Sequence, residues 1–351
     1  MNQYLSIKFK VLSILSMIMV VFLHSKNILS LYPENEEIIK GYNTFIQDFF
    51  SEGISRIAVP FFFSISGYLY FLHFDGTLKA YSNKLKKRFK TVFIPYIFWS
   101  IWGFVIFYIL ESIPLLDHFF NNDSTKNIGL TQFLNTIFIN PLPYQLWFLR
   151  DLMVLILISP ILYFVINKLK NYSVILMAMP WFLNVYFGII NVDSLLFFVL
   201  GGALAITDKL RNFKIFPYSW PLAFLWLFLV FVHTYLLQTN SANTDFTILV
   251  NRLFILSGML AIWGLYDAYF SNIKAEDLPQ YFSFSFFLYA FHEPTLTILK
   301  KGLFYFLGKS DTSSFLIYVI APVFTIFLSL SVGMLLKQIF PKFYAVISGG
   351  R

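Results

Sequence analysis

The chain has 351 residues, of which 58% are hydrophobic, 21% aromatic and 13% charged, with a formal net charge of +8 and no cysteine. A soluble domain carries about 25% charged residues, and no aqueous fold could bury so much apolar surface, so a water-soluble enzyme is excluded. The absence of cysteine also excludes disulfides, thiolate nucleophiles and Cys-based metal sites.

Apolar stretches recur at helical length, roughly 20 residues each, which matches a hydrocarbon core of about 30 Å crossed at about 1.5 Å per residue. The alternating segments of about ten residues that mark a membrane β-barrel are absent. The expected fold is therefore all-α: a polytopic integral membrane protein of about ten transmembrane helices, forming one membrane-embedded domain over residues 1–351 with no appended soluble domain. In chain order the spans fall near residues 10–29, 57–73, 92–111, 146–167, 173–190, 194–207, 217–237, 248–270, 281–299 and 315–337. The first run exceeds a signal-peptide core and lacks a small-residue cleavage site, so it stays in the membrane. The fifth and sixth are short and separated only by Asn191, Val192 and Asp193, which gives either a tight hairpin or a re-entrant pair. No internal repeat of the inverted-transporter kind is visible.

The positive charge reads as topology, not as a nucleic-acid interface, because the basic residues sit in short segments between apolar runs. With the N-terminus cytoplasmic, 17 of the 26 Lys and Arg residues fall on that side, and an even number of spans puts both termini there. Lys8 and Lys10 open this series, and the densest run follows as Lys79, Lys84, Lys86, Lys87, Arg88 and Lys90 in a loop over 79–90. The opposite loops differ in kind. Residues 30–55 carry Glu34, Glu36, Glu37, Asp48 and Glu52, whereas 112–145 is Asn-rich with Pro114, Pro141 and Pro143.

His24 lies inside the first span. At about 100° per residue, Ser6, Lys10, Ser13, Ser16, His24 and Asn27 fall within an arc of roughly 120°, a polar stripe that must face protein or a water-filled cavity. A lone membrane histidine either hydrogen-bonds a neighbouring helix or carries function, and the stripe favours function. Arg56 opens Ser55-Arg56-Ile57-Ala58-Val59-Pro60-Phe61-Phe62-Phe63-Ser64-Ile65-Ser66-Gly67-Tyr68-Leu69. An arginine at a span boundary is usually a snorkelling anchor. Pro60 and Gly67 are expected to break this helix locally and to allow close backbone approach. The 79–90 cations are a positive-inside determinant that meets anionic lipid, with a second role open to them, since clustered cations also hold the phosphates of acyl-coenzyme A. Leu146-Trp147-Phe148-Leu149-Arg150-Asp151-Leu152 starts the fourth span: Trp147 reads as an interfacial residue and Arg150 with Asp151 as a local pair. In the ninth span Ser285, Tyr289, His292 and Thr295 share a face beside Glu293 and Pro294, and His292 reads as structural.

At these segments the chain resembles the acyltransferase-3 superfamily of bacterial membrane proteins, in particular the branch that O-acetylates surface polysaccharides or their lipid-linked precursors. The matching stretches are Val20-Val21-Phe22-Leu23-His24, Ser55-Arg56 through Val59-Pro60 to Ser66-Gly67-Tyr68, the basic run leading to Ile94-Pro95-Tyr96, Leu146-Trp147-Phe148-Leu149, and Phe287-Leu288-Tyr289-Ala290-Phe291-His292. The resemblance implies a ten-helix enzyme of the bacterial cytoplasmic membrane that moves an acyl group, expected to be acetyl, from cytoplasmic acyl-CoA to a hydroxyl of an extracytoplasmic glycan. Acyl-CoA is then a co-substrate, and no bound cofactor or metal is implied. It matches His24 and Arg56 to the family's histidine and arginine, expected here to be catalytic; the clustered charges give Lys10, Lys84, Lys86, Lys87 and Arg88 as donor contacts, with Ser13, Asn27, Trp147, Arg150, Asp151 and His292 as further candidates. One departure stands out: the family's arginine eleven residues before the histidine is Ser13 here. Either Lys10, one turn earlier, reaches up in its place or the usual donor contact is lost. Two rivals remain, a polysaccharide exporter or flippase and an inactive subunit of an envelope-synthesis complex.

Overall fold

The structure is a computed structural model that describes residues 2–31, 40–114, 125, 126, 128–185, 187, 188, 190–212, 218–239 and 244–350. Glu34, Glu36, Glu37 and the 115–124 part of the Asn-rich loop lie outside the described residues. Among the described residues there are helices and no strand. The chain is an all-α, polytopic membrane protein, but its spans are less regular than ten straight crossings. Among the described residues six helices are long and apolar enough to cross a membrane, or seven when one bent pair counts as a single span.

The first, α1 (Gln3–Ser25), is capped by the Asn2 side chain, which accepts from the Leu5 N–H at 2.9 Å. Next, α2 (Tyr42–Phe71) runs for 30 residues and passes through a wide turn at Asp48–Gly53 and a tight one at Ile54–Ile57 before regular helix resumes at Ala58. Pro60 sits in the first turn of that regular part, where a missing N–H loses little. Gly67 does not break the helix. Its role is close approach: a Cβ there would run into the Phe198 carbonyl oxygen, and one on Gly201 into that of Ser64, so two helix backbones touch.

The basic run, expected as a loop, is helical. It forms the first part of α3 (Leu78–Ser112), whose start Thr77 caps by accepting from the Ala80 N–H at 3.2 Å. A short helix, Leu130–Phe138, leads to the bent pair α4 (Tyr144–Leu157) and α5 (Ser159–Leu169), which meet at 68°. The bend has a covalent cause, because Pro160 follows it and offers no N–H to the carbonyl four residues back. The expected fifth span is α6 (Tyr172–Phe182), whose 11 residues cover ~16 Å, about half the hydrocarbon core. It is followed by an irregular turn and α7 (Val192–Ile206), 15 residues long. Then come α8 (Ser219–Gln238), α9 (Asp245–Tyr269), α10 (Ser285–Leu307), α11 (Asp311–Ile339) and the short α12 (Pro341–Ile347).

One polar group inside this bundle departs from the sequence reading. Lys8, counted there as a surface charge, has no exposure: its Nζ is 2.6 Å from Asp267 Oδ1 and 3.0 Å from the Trp263 carbonyl, and it lies 3.5 Å from the Trp263 ring centroid. Lys10 is the exposed lysine of the two.

Candidate functional site

The break in α10 builds the centre of the site. Pro294 cannot donate to the Ala290 carbonyl and forces the residue before it out of the helical region, so Glu293 is extended at φ −113° and ψ 136°. The carbonyls freed there are taken by the Gln145 amide, which donates to Ala290 at 3.4 Å and Glu293 at 3.2 Å. His292 Nδ1 donates to the Tyr289 carbonyl at 2.7 Å. A carbonyl can only accept, so in the neutral ring Nδ1 carries the proton and Nε2 is left as a lone-pair acceptor. That Nε2 is buried and has no partner among the described residues.

His292 lies against His24. The two imidazoles stack with centroids 5.5 Å apart and planes 14° apart, and the Tyr144 ring meets His24 edge-on at 4.7 Å. The Tyr144 hydroxyl in turn donates to Glu293 Oε1 at 3.2 Å. Lys300 donates to the His24 carbonyl at 2.7 Å and so closes the end of α1, where a cation suits the open carbonyls. No described residue hydrogen-bonds the His24 ring, which stays free to act on something else. His292, read from the sequence as structural, is placed by the fold in the same cluster as His24.

Two cavities lie near this cluster. The larger, of about 940 Å³, is lined by His24, Arg56, Trp147 and Arg150, four residues singled out from sequence. Arg56 is half-exposed there and paired with Glu52 one turn earlier, and Lys26 bonds Asp48 at 2.6 Å. Trp147, read as interfacial, forms part of this wall. Asp151 is fully buried beneath it and takes Arg150 Nη2 at 3.1 Å, the Asn191 N–H at 3.1 Å, the Asn191 amide at 3.0 Å and the Ser194 hydroxyl at 2.8 Å. It therefore fixes the N-terminus of α7 to α4. The same cavity is lined by Asp193, His233, Asn251 and Arg252, none of which the sequence singled out.

The smaller cavity, about 260 Å³, is lined by Ser13, Met17, Arg88, Phe148, Ser285 and Tyr289. Met17 lines it and Val20 lines the larger one, so along α1 the two are three residues apart, or ~4.5 Å of rise. The Arg88 guanidinium has no ion pair among the described residues. Lys84 is otherwise engaged, donating to the Tyr70 and Leu72 carbonyls at the end of α2. Lys86 and Lys87 are exposed, and neither they nor Lys10 lines either cavity. Asn27 is buried in a network with Gln47 and Ser314 that ties α1 to α2 and α11, and is structural.

A helical bundle with a cavity lined by a histidine that no described residue hydrogen-bonds defines a membrane protein that can bring a substrate to that ring. Residues 8–334 match an acyltransferase domain, the acyltransferase-3 family, and the chain belongs to that family. It is similar to the succinoglycan biosynthesis protein ExoH of Rhizobium meliloti (strain 1021), 26% identical over 368 residues, covering all of this chain and 94% of the relative. No solved structure matches the chain.

Proposed function

We propose that the protein is an O-acyltransferase that moves an acyl group, acetyl being the expected one, from cytoplasmic acyl-CoA to a hydroxyl of an extracytoplasmic cell-envelope glycan or its lipid-linked precursor. The observation that carries this reading is a pair of cavities three residues apart along α1, the larger lined by His24 and the smaller by Tyr289, whose carbonyl holds His292. The name of the similar protein, which concerns the synthesis of a polysaccharide, supports a glycan acceptor.

In this reading the acyl thioester enters through the smaller cavity and the sugar occupies the larger. His24 takes the proton of the acceptor hydroxyl as its oxygen attacks the thioester carbonyl. The C–S bond breaks, the new C–O ester bond replaces it, and the proton leaves with the coenzyme A thiolate. Arg56 stabilises negative charge on the carbonyl oxygen, once its pairing with Glu52 is exchanged for the substrate. His292, stacked on His24, gives the imidazolium a π face to rest on.

Two expected outcomes test the donor side. Arg88 is the cation of the basic run that lines a cavity, so Arg88→Gln is expected to raise the KM for acyl-CoA by roughly tenfold, the loss of one charge-assisted phosphate bond. Initial-rate kinetics in membranes measure this, with Lys86→Gln and Lys87→Gln as exposed comparators. An unchanged KM leaves the run as a topology signal alone. For orientation, cysteines at Ser82 and Thr131 are expected to fall on opposite sides, with Thr131 alone labelled by an impermeant thiol reagent in intact cells. Equal labelling of both would overturn the cytoplasmic assignment of the termini and of the donor.

A further inference from the structure

Acyl transfer at His24 makes no use of one group of side chains in the larger cavity. Asp193 opens α7, His233 lies on α8, and Asn251 and Arg252 lie on α9. Polar groups on membrane helices are expensive and gather where they meet a ligand or one another. Here they only partly meet one another. Asp193 Oδ1 accepts from the Trp181 indole at 2.6 Å and from Arg252 at 3.4 Å, while Oδ2 takes no hydrogen bond from a described residue. Arg252 lies over the Trp181 ring at 4.7 Å and donates to Asn184 Oδ1 at 3.1 Å, so it holds Asp193 in place. His233 is 6% exposed and its Nδ1 has no partner, and the Asn251 amide has none among the described residues either.

The charge pattern narrows what fits. Four cations line the cavity, and each faces a carboxylate: Lys26 with Asp48, Arg56 with Glu52, Arg150 with Asp151 and Arg252 with Asp193. Glu52 and Asp193 themselves form part of the wall, so an anionic ligand would meet like charge on two sides. What the wall offers is hydrogen-bonding capacity with no excess of either charge. The volume lies at the upper end of the ~300–1,000 Å³ usual for small-molecule sites, with room beyond a single ring.

We infer that Asp193, His233 and Asn251, with Arg252 holding Asp193, form a subsite for an uncharged sugar unit of the acceptor. The free Asp193 oxygen accepts from one hydroxyl, and His233 and Asn251 bond its neighbours. This inference rests on the acyl-transfer reading only for what happens next to the bound sugar, because binding can be measured without turnover.

The experiment titrates the purified protein, in nanodiscs, with malto-, cello- and galacto-configured neutral tetrasaccharides and with tetragalacturonate of equal length. At least one neutral tetrasaccharide is expected to bind tenfold or more tightly than tetragalacturonate. Asp193→Asn and Asn251→Ala are each expected to weaken that binding by roughly tenfold, the scale of one hydrogen bond to a charged or buried polar partner. Asn251→Ala removes no internal hydrogen bond, so its folding is secure even if Asp193→Asn loosens the Trp181 contact. Equal or tighter binding of the uronate, no binding of any sugar, or unchanged affinity in both variants overturns the subsite. His24→Gln separates the two ideas: a variant that still binds sugar and still acylates defeats the base assignment and leaves the subsite standing.

Discussion

Replacing His24 by glutamine is expected to leave a folded, inserted protein that acylates its acceptor about 10²–10⁴-fold more slowly, the range that a positioned general base contributes. Gln retains hydrogen-bonding atoms and much of the volume but cannot accept a proton at neutral pH. The His24 ring has no hydrogen bond to lose within the described residues, and its contacts are the stacked His292 and the edge of Tyr144. The substitution therefore removes chemistry with little loss of packing. Mass spectrometry of envelope glycans from cells carrying each variant measures the effect, with protein level in the membrane as the control. A near-normal acylation rate for His24→Gln would make the histidine structural. His292→Phe belongs to the same experiment, because it keeps the ring face and discards the ring nitrogens. Retained activity there means that His292 works through stacking; a loss as deep as that of His24→Gln means that its orphaned Nε2 takes part directly.

The sequence carried the helices well because membrane spans are local: twenty apolar residues in a row are enough to mark one. It carried the breaks less well. Pro160 stood in plain view within the fourth expected span, and Pro294 within the ninth, yet a proline in a membrane helix is often accommodated by neighbours. Whether it bends the chain depends on who satisfies the freed carbonyls. At Pro294 the answer is Gln145, 149 residues earlier in the chain, and no local pattern announces that pairing. Gly67 was read half correctly: no break forms there, but the close backbone approach expected of it is made, with Phe198 as the partner that only the folded helices reveal.

The site divides along the same line. His24, Arg56, Trp147 and Arg150 were legible because each sits in a distinctive local stretch, and the structure gathers all four around one cavity. Asp193, His233 and Arg252 come from three different helices and are isolated polar residues in otherwise apolar or mixed surroundings. A single polar residue at the end of a span has an ordinary interfacial explanation, so only their convergence gives them meaning. Lys8 and Lys10 show the complementary failure. The helical arc grouped Lys10 with Ser13, but near the N-terminus of α1 the face that is packed is set by α9, where Asp267 waits 259 residues away for Lys8. Ser13, at the position where the resemblance leads one to expect an arginine, lines the smaller cavity, and Arg88 lines the same cavity.

The second large expected effect is on folding rather than on chemistry. Asp151→Ala is expected to destabilise the protein by about 3–5 kcal/mol, because it takes the shared acceptor from several donors at about 1–3 kcal/mol for each one left buried. The Asp151 carboxylate is wholly buried, and four donors converge on it: the Arg150 guanidinium, the Asn191 backbone N–H, the Asn191 amide and the Ser194 hydroxyl. Alanine would leave the Asn191 and Ser194 donors without this acceptor, and the Arg150 guanidinium with the Ile139 carbonyl as its remaining close partner. Because Asn191 and Ser194 stand at the start of α7, the loosened element is the one that carries Asp193 into the larger cavity. By the scaling of soluble domains, ~4 kcal/mol in a chain of this length lowers Tm by roughly 5 °C. Thermal unfolding of the purified protein in detergent measures this, alongside Asp151→Asn. Asn keeps one acceptor oxygen but turns the other position into a donor facing donors, so its effect should fall between wild type and Ala. If Asp151→Ala melts like wild type, the buried carboxylate does not hold α7 to α4, and the shape of the cavity must be maintained by the packing of α7 against α2, α5 and α6.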